Sequence, residues 1–335
     1  MPGSESLLLL ALASTYFLID SCNAQQTLSP KPTLSPKPTL KRKCTANWFF
    51  NENGGLQTKT MPDGSIIYSQ TYQDAVLMRL FDMIGTRNRY CVEFGFGYVD
   101  EDLHGAALLL KNSGLNTRRL KEVGWNSTFF DAVVADPTIN LKRVVLTQEN
   151  IADEFRKAGL PLEIDYVSID VDSIEAWLLL GLLQGGYRPR VFSVEFNTAF
   201  RPHDLVSHQK EWHPWNRSMV FGASAGTLNM VATMFGYKLV ARVRKLDLFF
   251  VRADILDAVC PPSIQPEYMD HMHGVGSKIL HGPPKSTEEA ERLVDFPLAL
   301  MGLTDAARKK AQLTLQEMGV RIGERMSKKR STRPG

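Results

Sequence analysis

Five short runs rich in β-branched and aromatic residues, Tyr90 to Phe94, Thr128 to Val134, Arg143 to Leu146, Tyr166 to Ile169 and Val191 to Phe196, alternate with helix-like segments. Strands separated in this way share a sheet by crossing over it, so the alternation dictates a mostly parallel α/β sheet. Apolar residues at helical spacing over Gln73 to Ile84, Asn150 to Ala158, Ser173 to Leu183 and Ser224 to Phe235 supply the covering layers, with Gly85 as a stop for the first. Tyr237 to Ala241 and Phe249 to Arg252 read as an antiparallel closing hairpin. One connection resists the pattern. Between Val134 and Arg143 there is hardly room for the dozen or so residues of a crossover helix, so either the helix is reduced or the strand boundaries shift.

The flanks differ in kind. Leu7 to Ala13, continuing to Leu18 and Ile19, is an apolar segment too short to span a bilayer, and Ala24 offers a small residue for cleavage. Residues 1–24 therefore read as a secretory signal peptide. A Thr-Leu-Ser-Pro-Lys-Pro unit at Thr27 repeats at once from Thr33, and residues 25–43 read as a disordered, extended linker. The folded domain is expected over 44–258, followed by a helical C-terminal appendage over 259–335 that is interrupted around Pro297 and Gly302 and ends in a basic tail. Removing the leader leaves Cys44, Cys91 and Cys260, from which no pairing is readable, and Cys91 reads as a small core residue. Asn126 and Asn216 head acceptor triplets for N-glycans. The expectation is a secreted protein or one of the ER or Golgi lumen. With 39 basic against 36 acidic residues, a net charge of +3, there is no field to draw nucleic acid. Trp177 to Leu183 is too short for a transmembrane span and reads as a buried helix.

An open parallel sheet binds its ligand beyond the carboxyl ends of the strands. Polar residues gather there. Glu93 and the Gly95/Gly97 turn close the first strand, Asp131 lies toward the end of the second, and Glu149 and Asn150 follow the third. Asp170 and Asp172 end the fourth, and Glu195 and Asn197 end the fifth. Asp172 reads equally well as the N-cap of the helix beginning at Ser173. His203, His208 and His213 follow the fifth strand, with His271, His273 and His281 beyond, but they lack the helical register or neighbouring cysteines of a metal-ligand set, and no metal is expected.

The order Val92-Glu-Phe-Gly-Phe-Gly97, Asn116-Thr117, Gly124 to Asp131, Glu149-Asn-Ile151, Asp165 to Asp172 and Arg188 to Asn197 resembles Rossmann-like S-adenosylmethionine-dependent methyltransferases, most closely the FkbM-like relatives. The likeness runs from about Arg89 to Ile255. It implies that Glu93, Gly95 and Gly97 shape the methionine end of a cofactor pocket and that Asp131 accepts from the ribose hydroxyls. It also implies that Asn116 and Thr117 present free backbone amides to the cofactor carboxylate, that Glu149 and Asn150 lie near the adenine, and that Asp170, Asp172, Glu195 and Asn197 face the acceptor, with Asp170 or Glu195 as a base. Two functions follow: methyl transfer in the secretory pathway, or a noncatalytic extracellular matrix or interaction protein that keeps the fold.

Overall fold

The computed structural model describes residues 44–322 apart from 51–54, 97–103, 106–107, 110–113 and 277–280. The signal-like leader, the proline-rich repeat, Gly97 and the basic tail lie outside the described residues. Seven strands form one sheet in the order β3-β2-β1-β4-β5-β8-β7. They are β1 (Tyr90–Phe94), β2 (Asn126–Asp131), β3 (Leu141–Arg143), β4 (Tyr166–Ile169), β5 (Val191–Glu195), β7 (Tyr237–Val243) and β8 (Asp247–Arg252), while β6 (Val206–His208) stands apart. Strands β1 to β5 pair in parallel, and β8 runs antiparallel to both β5 and β7. The expected mixed sheet with a closing hairpin is present, in a layout consistent with a Rossmann-like fold.

The side-chain alternation of the central strands decides the two layers. Val92 and Phe94 of β1 and Val167 and Ile169 of β4 point into one core, which α3 (Ile151–Lys157), α4 (Glu175–Gln184) and α5 (Ala225–Met234) cover. Cys91 and Tyr166 point the other way, against Ala75, Val76 and Leu80 of α1 (Gln73–Ile84) and Leu120 of α2 (Arg118–Glu122). Wholly buried Asp165 pins the start of β1, because its carboxylate accepts from the backbone amides of Arg87, Asn88 and Arg89 while pairing with Arg190. The apolar Trp177 to Leu183 run is a buried segment of α4, and no described helix is long and apolar enough to cross a membrane.

Both remedies for the short crossover apply. Strand β2 ends at Asp131, earlier than the β-branched run suggests, and the connection carries only a 3₁₀ turn, Pro137–Ile139, capped by Asp136. The C-terminal segment departs further from expectation. Past α6 (Ala253–Asp257) and α7 (Thr287–Ala290), β9 (Leu293–Asp295) pairs antiparallel with β6. The chain then continues through α8 (Phe296–Leu300) and α9 (Thr304–Glu317). Val294, Phe296 and Ala307 belong to the same core as β1 and β4, so this segment is part of the domain rather than an appendage. The described residues form one unit.

Cys44 and Cys260 form a disulfide across a sequence separation of 216 residues, while Cys91 stays free and buried, its thiol pushed up to about 12 by burial. Closing so long a loop restricts the unfolded chain. Cys260→Ala is therefore expected to cost about 3 to 5 kcal/mol of unfolding free energy in urea titrations, and non-reducing peptide mapping should recover the Cys44–Cys260 pair.

Candidate functional site

The site begins with a close approach of two strand ends. Gly95 leaves β1 at φ +77°, and a Cβ built there would lie 1.6 Å from the backbone oxygen of Asp170, just beyond β4. Only glycine permits that conformation and that contact together. Two residues earlier, buried Glu93 turns away from the rim. Its Oε1 accepts from the Asn116 amide at 2.8 Å, and its Oε2 accepts from the Thr117 amide at 3.0 Å and from the Thr117 hydroxyl. Burial nonetheless pushes its carboxyl up to about 7. The amides of Asn116 and Thr117, expected to be free for a ligand carboxylate, are thus spent on Glu93. Asn116 instead donates its side-chain amide to Ser168 at 3.0 Å.

Beyond the strand ends lies a cavity of about 520 Å³, within the range of small-molecule sites. One end is lined by Phe94, Gly95, Phe130, Asp131, Val145 and Leu146. Asp131 Oδ1 accepts from the amides of Val133 at 2.7 Å and Val134 at 3.1 Å, which builds the turn after β2. Its other oxygen has no hydrogen-bond partner among the described residues. Glu149 and Asn150 do not line the cavity. Glu149 is exposed and pairs with Lys210 at 3.7 Å. Asn150 spends its side chain on the loop before α3, accepting from the Thr147 amide at 2.7 Å and donating to the Val145 carbonyl at 2.9 Å. What Asn150 positions is the backbone that carries Val145 and Leu146.

The other end is acidic and aromatic. Asp170, Asp172 and Glu195 line it together with Trp212, Trp215, Phe221, Lys245 and His281. Burial raises the carboxyls of Asp170 and Glu195 well above the ordinary range; neighbouring acids add to this, Asp247 first for Asp170 and Asp170 first for Glu195. Burial raises Asp172 as well, and a hydrogen bond with Glu195 opposes the shift. Asp172 adopts φ +54° and does not cap α4, whose N-cap is Ile174. Glu175 takes over that work. Its Oε1 accepts from the amides of Val171 and Ser173, both at 3.0 Å, and burial lifts its carboxyl to about 7.

Asn197 is absent from the cavity. It is wholly buried, donates to the carbonyls of Met219 at 2.8 Å and Phe221 at 2.9 Å, and accepts from the Ala199 amide at 3.0 Å, so it braces the loop that delivers Phe221. The histidines scatter. His208 is buried behind Trp177, and burial holds its imidazole down to about 4. His281 alone of the six joins the cavity, its ring 5.0 Å from Trp215 and 5.2 Å from Phe221.

Glu175 and Asp247 escape a reading confined to strand ends. Glu175 sits one turn into a helix, and Asp247 begins β8 opposite Glu195, where Gln73 donates to it at 2.9 Å. The available signal was an acidic residue inside an otherwise apolar segment, repeated at both positions. Comparison with protein-family models and with curated proteins returns no match.

Gly95→Ala is expected to lower unfolding free energy by about 3 kcal/mol or more, because the clash is with backbone that cannot move aside; thermal denaturation reads this directly. Asp247 gives a pH test. Burial raises its carboxyl from 3.8 to about 6, so its contribution to stability is full below the unfolded value and is lost as pH rises through the folded one. Buried His208 and His271 oppose this trend in the whole protein, since each is held down to about 4. The informative quantity is therefore a difference: Asp247→Asn should gain about 2 kcal/mol relative to the parent between about pH 4 and about pH 8, measured by denaturant titration.

Proposed function

We propose that this chain is a methyltransferase of the secretory pathway that binds S-adenosylmethionine at the Gly95–Asp131 end of the cavity and an acceptor at its acidic, aromatic end. The observation that carries the reading is the cavity itself. It sits beyond the carboxyl ends of parallel strands, with a bare glycine turn on β1, a carboxylate after β2 whose second oxygen has no partner among the described residues, and an apolar wall after β3. A close backbone approach, an acceptor for ribose hydroxyls and an apolar wall are what a nucleoside carrying an amino-acid tail requires.

When bound, the cofactor supplies an electrophilic methyl group. Asp131 would hold the ribose through its unengaged oxygen, Val145 and Leu146 would flank the adenine, and Gly95 would leave space for the methionine portion. Asp170 and Glu195 remain the candidates for taking a proton from the acceptor, because burial raises their proton affinity. Trp212, Trp215 and His281 offer the acceptor a planar surface. Glu93, Asn116, Thr117, Asn150 and Asn197 act as positioning residues.

Two features support export. A disulfide persists in oxidising compartments. Asn126 is exposed at the start of β2, whereas Asp131 is at its end, roughly 16 Å away at strand rise, so a glycan on Asn126 leaves the cavity clear.

Calorimetric titration with S-adenosylmethionine tests the reading, and absence of binding by folded protein overturns it. Asp131→Asn keeps the Oδ1 acceptor of the turn and removes the second carboxylate oxygen. It should weaken cofactor binding by roughly tenfold or more without lowering the melting temperature.

A further inference from the structure

We infer that Asp170, Glu175 and Glu195 form a binding site for one hard divalent cation of the Mg²⁺, Mn²⁺ or Ca²⁺ class. The inference goes beyond methyl transfer and stands without it, since neither its argument nor its test involves the cofactor.

One oxygen from each of the three carboxyls lies within 4.8 Å of the others. Oxygen ligands sit about 2.0 to 2.6 Å from such ions, so two ligands of one ion can be no more than about 5 Å apart. The spacing therefore fits a shared ion. Topology produces it: Ile169 and Val194 are register partners in β4 and β5, which places Asp170 and Glu195 side by side at the same rim, and the first turn of α4 brings Glu175 in behind them.

The second observation concerns unsatisfied oxygens. Glu175 is 0% exposed, and with Oε1 held by the Val171 and Ser173 amides, its Oε2 is buried with no hydrogen-bond partner. Glu195 Oε2 is likewise shut from solvent and unpartnered. The partner that Glu195 does have is another acid, Asp172. Leaving carboxylate oxygens buried and unpaired is costly, and a cation shared by the three carboxyls would offset that cost. The donor set is entirely carboxylate, with neither imidazole nor thiolate, which selects a hard ion over zinc or copper. Glu175 is already oriented by two amides, so little freedom is lost when it ligates.

Asp170 and Glu195 both line the cavity, so the ion's remaining coordination positions would open toward whatever the cavity holds, and in the cation-loaded protein these two carboxylates would serve as ligands instead of as the base. An oxygen atom of a bound acceptor could ligate there and be polarised.

The alternative is that Asp172 and Glu195 relieve the repulsion by sharing a proton, and one experiment separates the two. Protein stripped with EDTA is titrated calorimetrically with MnCl₂, MgCl₂ and CaCl₂ individually, and its melting temperature is recorded with and without Mn²⁺. Glu195→Gln and Glu175→Gln are treated in parallel; the glutamine at 175 retains an acceptor for the two amides. The expected result is saturable binding of one ion by the parent, weakened roughly tenfold or more in each variant. In EDTA, Glu195→Gln should melt above the parent, and saturating Mn²⁺ should reverse that order. The inference is overturned if the parent shows no saturable binding at millimolar cation, or if both variants bind as tightly as the parent. It is equally overturned if Mn²⁺ shifts the melting temperatures of parent and Glu195→Gln by the same amount.

Discussion

The approach of the Gly95 backbone to the Asp170 carbonyl is the constraint on which the site depends. Strands β1 and β4 are central neighbours in the sheet, and their parallel register brings both to an end at the same level. A side chain at residue 95 would hold these ends apart. Without one, the turn after β1 folds against the turn after β4, and the cavity opens over the seam with Asp131 on one flank and Glu195 on the other. The same approach places Asp170 among other acids, so close packing of the backbone and crowding of charge are two results of one contact.

That crowding defines the chemistry. Glu93, Asp170, Asp172, Glu175, Glu195 and Asp247 are gathered around the ends of β1, β4 and β5 and the starts of β8 and α4, and burial raises the proton affinity of all six. Their surroundings separate their roles. Glu93 is satisfied by three donors and ties β1 to the loop before α2, while Asp247 has Gln73. Glu175 and Glu195 each keep a buried oxygen without a partner, as does Asp247 at Oδ1, but only Glu175 and Glu195 fall within reach of a third carboxyl, that of Asp170. A fold tolerates such groups where function recovers what stability loses, and here Glu195 lines the cavity while Glu175 is buried near it, in the first turn of α4.

Much of the sheet was legible because its signal is local. The five β-rich runs, the helices from Gln73, Ile151, Glu175 and Ala225, and the closing hairpin all lie where periodicity and punctuation put them, within a few residues. The failures share a cause. Strands β6 and β9 span three residues each, too few to display a period, and they exist because they pair with each other across more than eighty residues of chain. The β-branched run through Val134 overstated β2, since Asp131 bends the chain by accepting from the next turn's amides. The Cys44–Cys260 pairing is likewise a fact of three-dimensional proximity.

For the site, the residue types at the strand ends named the rim and singled out Gly95, Asp131, Asp170, Asp172 and Glu195, all of which line the cavity. Sequence position determines which residues reach that rim, because a parallel strand delivers its last residues to one edge of the sheet. It cannot determine which way each side chain turns or what meets it there. Only tertiary structure directed Asn197 into the 219–221 loop, gave the Asn116 and Thr117 amides to Glu93, and brought Trp212, Trp215 and His281 across to face the acids. Those outcomes rest on contacts between distant segments, whose geometry is fixed by packing rather than by any local pattern of residues.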